Sequence, residues 1–135
     1  MKVFVDTNVW LVGRFGRGLC ADLLEGLIEA DFEILLDERV LAEFRRIGRN
    51  KFTVIDSTFD EAMLFFTRYA ATLPASDTRA PGVPDPDDAL IIAAALSADA
   101  SLFVTGDKAL LALESLGSMQ IVDPRTIFMK LRGLA

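Results

Sequence analysis

Asp6, Glu43, Asp88 and Asp107 are the residues on which chemistry could rest. The sequence has no histidine and a single cysteine, Cys20. Disulfides, ordinary zinc sites, Ser-His and Cys-His nucleophiles and a histidine base are therefore excluded, and any reaction must run on carboxylates. Each acid also has an ordinary explanation. Asp6, in Asp6-Thr7-Asn8, suits the turn that follows a strand. Asp85-Pro86-Asp87-Asp88 is what any helix N-terminus favours, and it is open whether Asp85 or Asp87 shares the role of Asp88. Asp107, after Thr105-Gly106, can serve as another N-cap. Glu43 is harder to explain away: it falls between Val40 and Ile47 on the apolar stripe of a helix, where a lone carboxylate is costly unless paired or bound to a cation.

All four readings place their carboxylates near one crevice, at strand ends, helix starts or an inward helix face. Acids brought together repel one another unless a cation neutralises them, and oxygen donors suit Mg²⁺ or Mn²⁺. Such a site orients an attacking water, lowers its pKa and stabilises charge on a phosphate in transfer, so phosphodiester hydrolysis is the natural chemistry. Asp6, Asp88 and Asp107 are expected as ligands, directly or through water. Glu43 is expected as a ligand or as a group that positions water.

The elements that must position these acids can be read from the apolar periodicity. Lys2–Val5 reads as a strand, Leu19 to Ile28 as a helix and Phe32–Leu36 as a second strand. Asp37 caps a helix running to about Gly48, and Phe59 to Leu73 reads as another amphipathic helix. Pro74 to Pro86 reads as a surface loop, and Asp87 to Ala98 as a buried, nearly all-apolar helix that enters the core acid end first. Leu102–Val104 and Met119–Val122 are further strands, Lys108 to Leu116 reads as a helix, and Pro124-Arg125 opens the last one. Alternating strands and helices predict a single α/β domain over residues 1–135, a three-layer α/β/α sandwich around a central parallel sheet of four or five strands. Its binding crevice lies beyond the carboxyl ends of the strands, where strand order reverses. Asp6 and Asp107 both follow strands and so reach that edge.

The 135 residues carry 14 basic and 20 acidic side chains, a net charge of −6, which opposes a broad grip on nucleic acid. The basic residues are uneven, however: Arg39, Arg45, Arg46, Arg49 and Lys51 crowd a stretch whose one acid is Glu43, so local phosphate binding survives. Gly13-Arg14-Phe15-Gly16-Arg17-Gly18 lacks the Walker lysine and reads as a flexible loop whose arginines could touch phosphate. Trp10 and Cys20 read as core, and the helix from Phe59 offers Met63, Phe66 and Tyr69 to the core or to a dimer contact. No apolar run reaches the ~20 residues needed to span a bilayer, so no membrane association and a cytoplasmic location are expected.

Taken in order, these fragments resemble the PIN-domain family, which includes the VapC-type ribonuclease toxins. The strand before Asp6-Thr7-Asn8-Val9 is similar to the family's opening motif, and Glu43 in Val40-Leu41-Ala42-Glu43-Phe44 to its helical glutamate. Asp88, heading Ala89-Leu90-Ile91-Ile92, resembles the third acid on its buried helix, and Val104-Thr105-Gly106-Asp107 the fourth at a strand end. The resemblance covers nearly the whole chain. It implies a Mg²⁺- or Mn²⁺-dependent endoribonuclease with Asp6, Glu43, Asp88 and Asp107 catalytic, and with Asn8 and Thr105 supporting by hydrogen bonds to ligands or bound water. It also implies an RNA substrate, a homodimer and, in toxin–antitoxin pairs, an antitoxin partner. Two alternatives stand beside it: a receiver-type phosphoacceptor domain, which would leave Glu43 without a job, and a non-catalytic binding module on the same fold, which would have little use for inward-facing acids.

Overall fold

The sheet grows outward from its first strand, which lies in its middle. In the computed structural model, which describes residues 1–52 and 54–133, β1 (Lys2–Val5) buries Val3, Phe4 and Val5 completely. β1 lies between β2 (Glu33–Asp37) and β4 (Leu102–Val104), parallel to both. Phe4 of β1 stacks on Phe103 of β4 with ring centroids 5.2 Å apart. Strands apolar on both faces need helices on both faces, as parallel sheets do.

The strand order is β3-β2-β1-β4-β6-β5. Five strands are parallel, counting β3 (Ala70–Leu73) and β6 (Met119–Val122). The sixth, β5 (Ser115–Leu116), is a two-residue antiparallel edge. The chain winds from β1 toward β3, then returns to the other side of β1 at β4, so strand order reverses between β1 and β4. In open α/β sheets the crevice forms at such a point, beyond the strands' carboxyl ends.

The helices are α1 (Thr7–Phe15), α2 (Leu19–Glu29), α3 (Glu38–Lys51), α4 (Asp56–Tyr69), α5 (Pro86–Ser97), α6 (Lys108–Leu111) and α7 (Pro124–Leu131). Asp37 caps α3 by accepting from the Val40 N–H at 2.8 Å. α5 begins at Pro86 behind its cap Asp85 and buries Ala89 and Ile91 to Ala95, as expected of an almost uniformly apolar helix.

Three expectations need correction. Thr7 and Asn8, read as strand end, and residues 13–15, read as loop, belong to α1, in which Val9, Trp10 and Leu11 are buried and Gly13 sits in the helix, close against Leu24. Residues 70–73, read as the end of a helix, form β3; Ala70 turns extended and pairs with Ile34, sheet pairing overriding alanine's helical preference. The helix read through Leu116 stops at Leu111, because residues 115–116 fold back on β6 across Gly117, whose φ is +58°.

Candidate active site

Asp6 is the first residue beyond β1 and the cap of α1. Its backbone N–H donates to the Val104 carbonyl at 2.9 Å, fastening it to the end of β4 across the reversal point. Its Oδ1 accepts from the Thr7 N–H at 2.8 Å and its Oδ2 from the Thr105 hydroxyl at 2.7 Å. Thr105 is wholly buried, and its oxygen also accepts from the Asp107 N–H at 3.1 Å. One hydroxyl thus holds two of the four acids in register. Asn8 Oδ1 accepts from the Gly106 N–H at 3.4 Å, so Asn8 steadies the loop that carries Asp107; among the described residues its side chain makes no hydrogen bond to a carboxylate.

Asp107 caps α6, its Oδ1 accepting from the Ala109 N–H at 2.8 Å. On α5 the capping role belongs to Asp85, whose Oδ1 accepts from the Asp87 and Asp88 N–H groups at 2.9 and 3.0 Å. Asp87 is exposed, whereas Asp88 is half-buried above Ala89. Glu43 is half-buried on α3, between the fully buried Val40 and Phe44 and the exposed face.

The electrostatics connect these positions. Burial pushes the Asp6 carboxyl above its ordinary range; the Thr105 hydroxyl and Thr7 N–H pull it back, and the charges of Glu43 and Asp107 raise it again. Asp88 is pushed up to about 6, first by burial, then by Asp85, Asp6, Asp107 and Glu43 in turn. Asp6 and Asp88 thus feel the same two neighbours, Glu43 and Asp107, which come from different helices and strand ends.

The cluster is open. Among the described residues, no three Asp, Glu or Cys side chains stand close enough together to form a ready-made cation cage. The donor chemistry nonetheless fits a hard divalent ion. Every donor is an oxygen, the charges of Glu43 and Asp107 add to burial in raising the Asp6 and Asp88 carboxyls, and Mg²⁺ commonly takes only one or two carboxylates directly while keeping several waters.

A cleft of about 370 Å³ opens beside the acids, between α3 and the first turns of α5, lined by Arg39, Ala42, Glu43, Arg46, Asp87 and Ile91. Its lining was legible only in part: the basic run stood out, but not that Asp87 and Ile91 of α5 form the opposite wall. A somewhat larger cavity, about 430 Å³ between α2 and α7, contains none of the four acids. Arg14, read as a loop residue free to touch phosphate, instead stacks 4.1 Å over the Phe65 ring. Asp37, noticed only as a cap, is fully buried at the end of β2 with its Oδ2 unpartnered among the described residues. That strand-end position, matching Asp6, was the available signal.

Among the described residues, no helix is long and apolar enough to cross a membrane. No curated protein matches the sequence. The family model described as PIN domain matches residues 2–109, a span that holds all four carboxylates, Asn8 and Thr105. PIN domains are generally nucleases and typically use divalent metals, which leaves the phosphoacceptor alternative without support. With well over half of its length covered by that match and its parallel sheet reversing where the acids gather, the chain belongs to the PIN-domain family.

Proposed function

We propose that this PIN domain is a Mg²⁺- or Mn²⁺-dependent endoribonuclease, the toxin of a toxin–antitoxin pair. The observation that carries the catalytic part is the shared electrostatic neighbourhood: Asp6 and Asp88, more than eighty positions apart, are both destabilised as anions, first by burial and then by charges that include those of Glu43 and Asp107. A cluster of mutually repelling oxygens at the reversal of a parallel sheet is suited to a cation and its water.

When bound, the ion would supply charge to lower the pKa of an attacking water and to offset the charge of the phosphate. The chain's own part is positioning. Thr105 holds Asp6 and the start of α6 together, and Asp85 takes the capping duty on α5, which leaves the Asp88 carboxylate free of that bond. The open geometry favours ligation of Asp6, Asp88 and Asp107 at least partly through water, with Glu43 orienting that water. The toxin role rests on the VapC-type resemblance, and the acidic surface, net charge −6, suits a basic antitoxin. RNA as substrate, a homodimer as the assembly and a cytoplasmic site of action belong to the same proposal.

The test is cleavage of single-stranded RNA by purified protein in Mg²⁺ or Mn²⁺. Asp6→Asn and Asp88→Asn are each expected to lower the rate at least ~100-fold with the circular dichroism spectrum unchanged, and a chelator is expected to abolish activity in the wild type. Wild-type rates in both variants would remove the mechanism.

A further inference from the structure

We infer that the cleft between α3 and α5 carries the RNA strand, with Arg39 and Arg46 gripping backbone phosphates on either side of Glu43; this rests on the nuclease reading above. On α3, Arg39, Ala42, Glu43 and Arg46 follow one another at spacings of three and four and share a single helix face. All four line the cleft, whose opposite wall is Asp87 and Ile91 of α5. The two arginines stand seven residues apart, about 10 Å along the helix axis, with the glutamate between them and the small Ala42 leaving room for a strand.

Their side chains differ from those of Arg49 and Arg14 in being available, and they differ from the exposed Arg45 in lining the cleft. Arg39 is steadied at the rim by one bond, its Nη2 donating to the Ser76 carbonyl at 3.2 Å, and keeps its remaining donors. Arg46 is exposed and, among the described residues, makes no salt bridge. Arg49, one turn further on, is already engaged, 4.4 Å over the Phe59 ring and 3.9 Å from Asp56. Arg14 is engaged by Phe65. A guanidinium with free N–H groups beside a reaction centre is a phosphate-gripping device. In a chain of net charge −6, such grip must be local.

The cleft is also self-limiting. The lining carries two guanidinium groups and two carboxylates, Glu43 and Asp87, so it attracts an anion strongly only when a divalent cation offsets the acids. Phosphate contacts position a nucleic acid without reading its bases, so these arginines act on affinity along the strand and leave base preference to other groups.

Steady-state cleavage of a short single-stranded RNA in Mn²⁺, measured across a salt series, tests the assignment. Arg46→Ala and Arg39→Ala are each expected to raise KM about 3- to 10-fold with kcat little changed. Each is also expected to flatten the salt dependence of log KM by roughly 0.7, the loss of one single-strand phosphate contact. Arg49→Ala is expected to leave both quantities at wild-type values. A wild type that cleaves, with both cleft variants showing unaltered KM and salt slope, would overturn the inference while leaving the nuclease reading standing. A wild type that fails to cleave would overturn that reading, and this one with it.

Discussion

A carboxylate half-buried among other carboxylates folds more readily with its proton on, and Asp88 is in that position. Its pKa is about 6 in the folded chain against an ordinary 3.8. Below about pH 4 it is protonated in both states and costs nothing. Between there and about pH 6 the folded chain holds a proton that the unfolded chain has lost, so its contribution to stability falls as pH rises; above that the whole penalty stands. Asp88→Asn keeps the shape and removes the charge. In chelator, the variant is expected to melt about 2–4 °C above the wild type near pH 7.5, a modest gain because the group is partly solvated, with the gap closing toward pH 4. An equal gap at both pH values would show that the charge is not its origin. At this scale the sequence was generous with residue types and poor with roles. Asp85, Asp87 and Asp88 all suit a helix start, and only the bonds from the Asp87 and Asp88 N–H groups to Asp85 identify Asp85 as the cap. Thr105 could be named from the family motif, but its two hydrogen bonds, donated to Asp6 and accepted from the Asp107 N–H, depend on two strand ends meeting.

Elements with strong periodicity were legible, and those held by tertiary contact were not. β1, α5 and β6 declare themselves by apolar runs, whereas α1 begins Thr7-Asn8-Val9 and contains Gly13, a poor helix by propensity that is secured by burying Val9, Trp10 and Leu11. Gly48 shows the same gap from the other side. It reads as a stop near the end of a helix, yet α3 continues to Lys51 and the glycine is a notch: a Cβ there would lie 2.7 Å from the Phe15 ring. That ring is hemmed in by Phe44, Phe52 and Phe59, so it has little freedom to yield. Gly48→Val is expected to cost about 2 kcal/mol by overpacking, read as a lower urea midpoint at unchanged slope. Because α3 carries Glu43, cleavage is expected to fall with it. An unchanged midpoint would mean that the aromatic cluster is softer than its packing implies.

For the molecule as a whole, the informative feature is that ordinary devices coincide. A strand end, two helix starts and the inward edge of a third helix each tolerate an acid. The reversal of strand order between β1 and β4 gathers them. The crossover rules made that convergence legible without any distance, while the openness of the cluster was not, since sequence spacing carries no information about ångström-scale separations between elements. In the proposed function a divalent cation is what makes such company favourable. Calorimetric titration of Mn²⁺ into the wild-type chain near pH 7.5, alongside Asp6→Asn, Asp88→Asn and Asp107→Asn, therefore tests the account most directly. Saturable binding is predicted for the wild type, weakened about 10-fold or more in each variant; no binding by the wild type, or equal affinity in all four proteins, would contradict it.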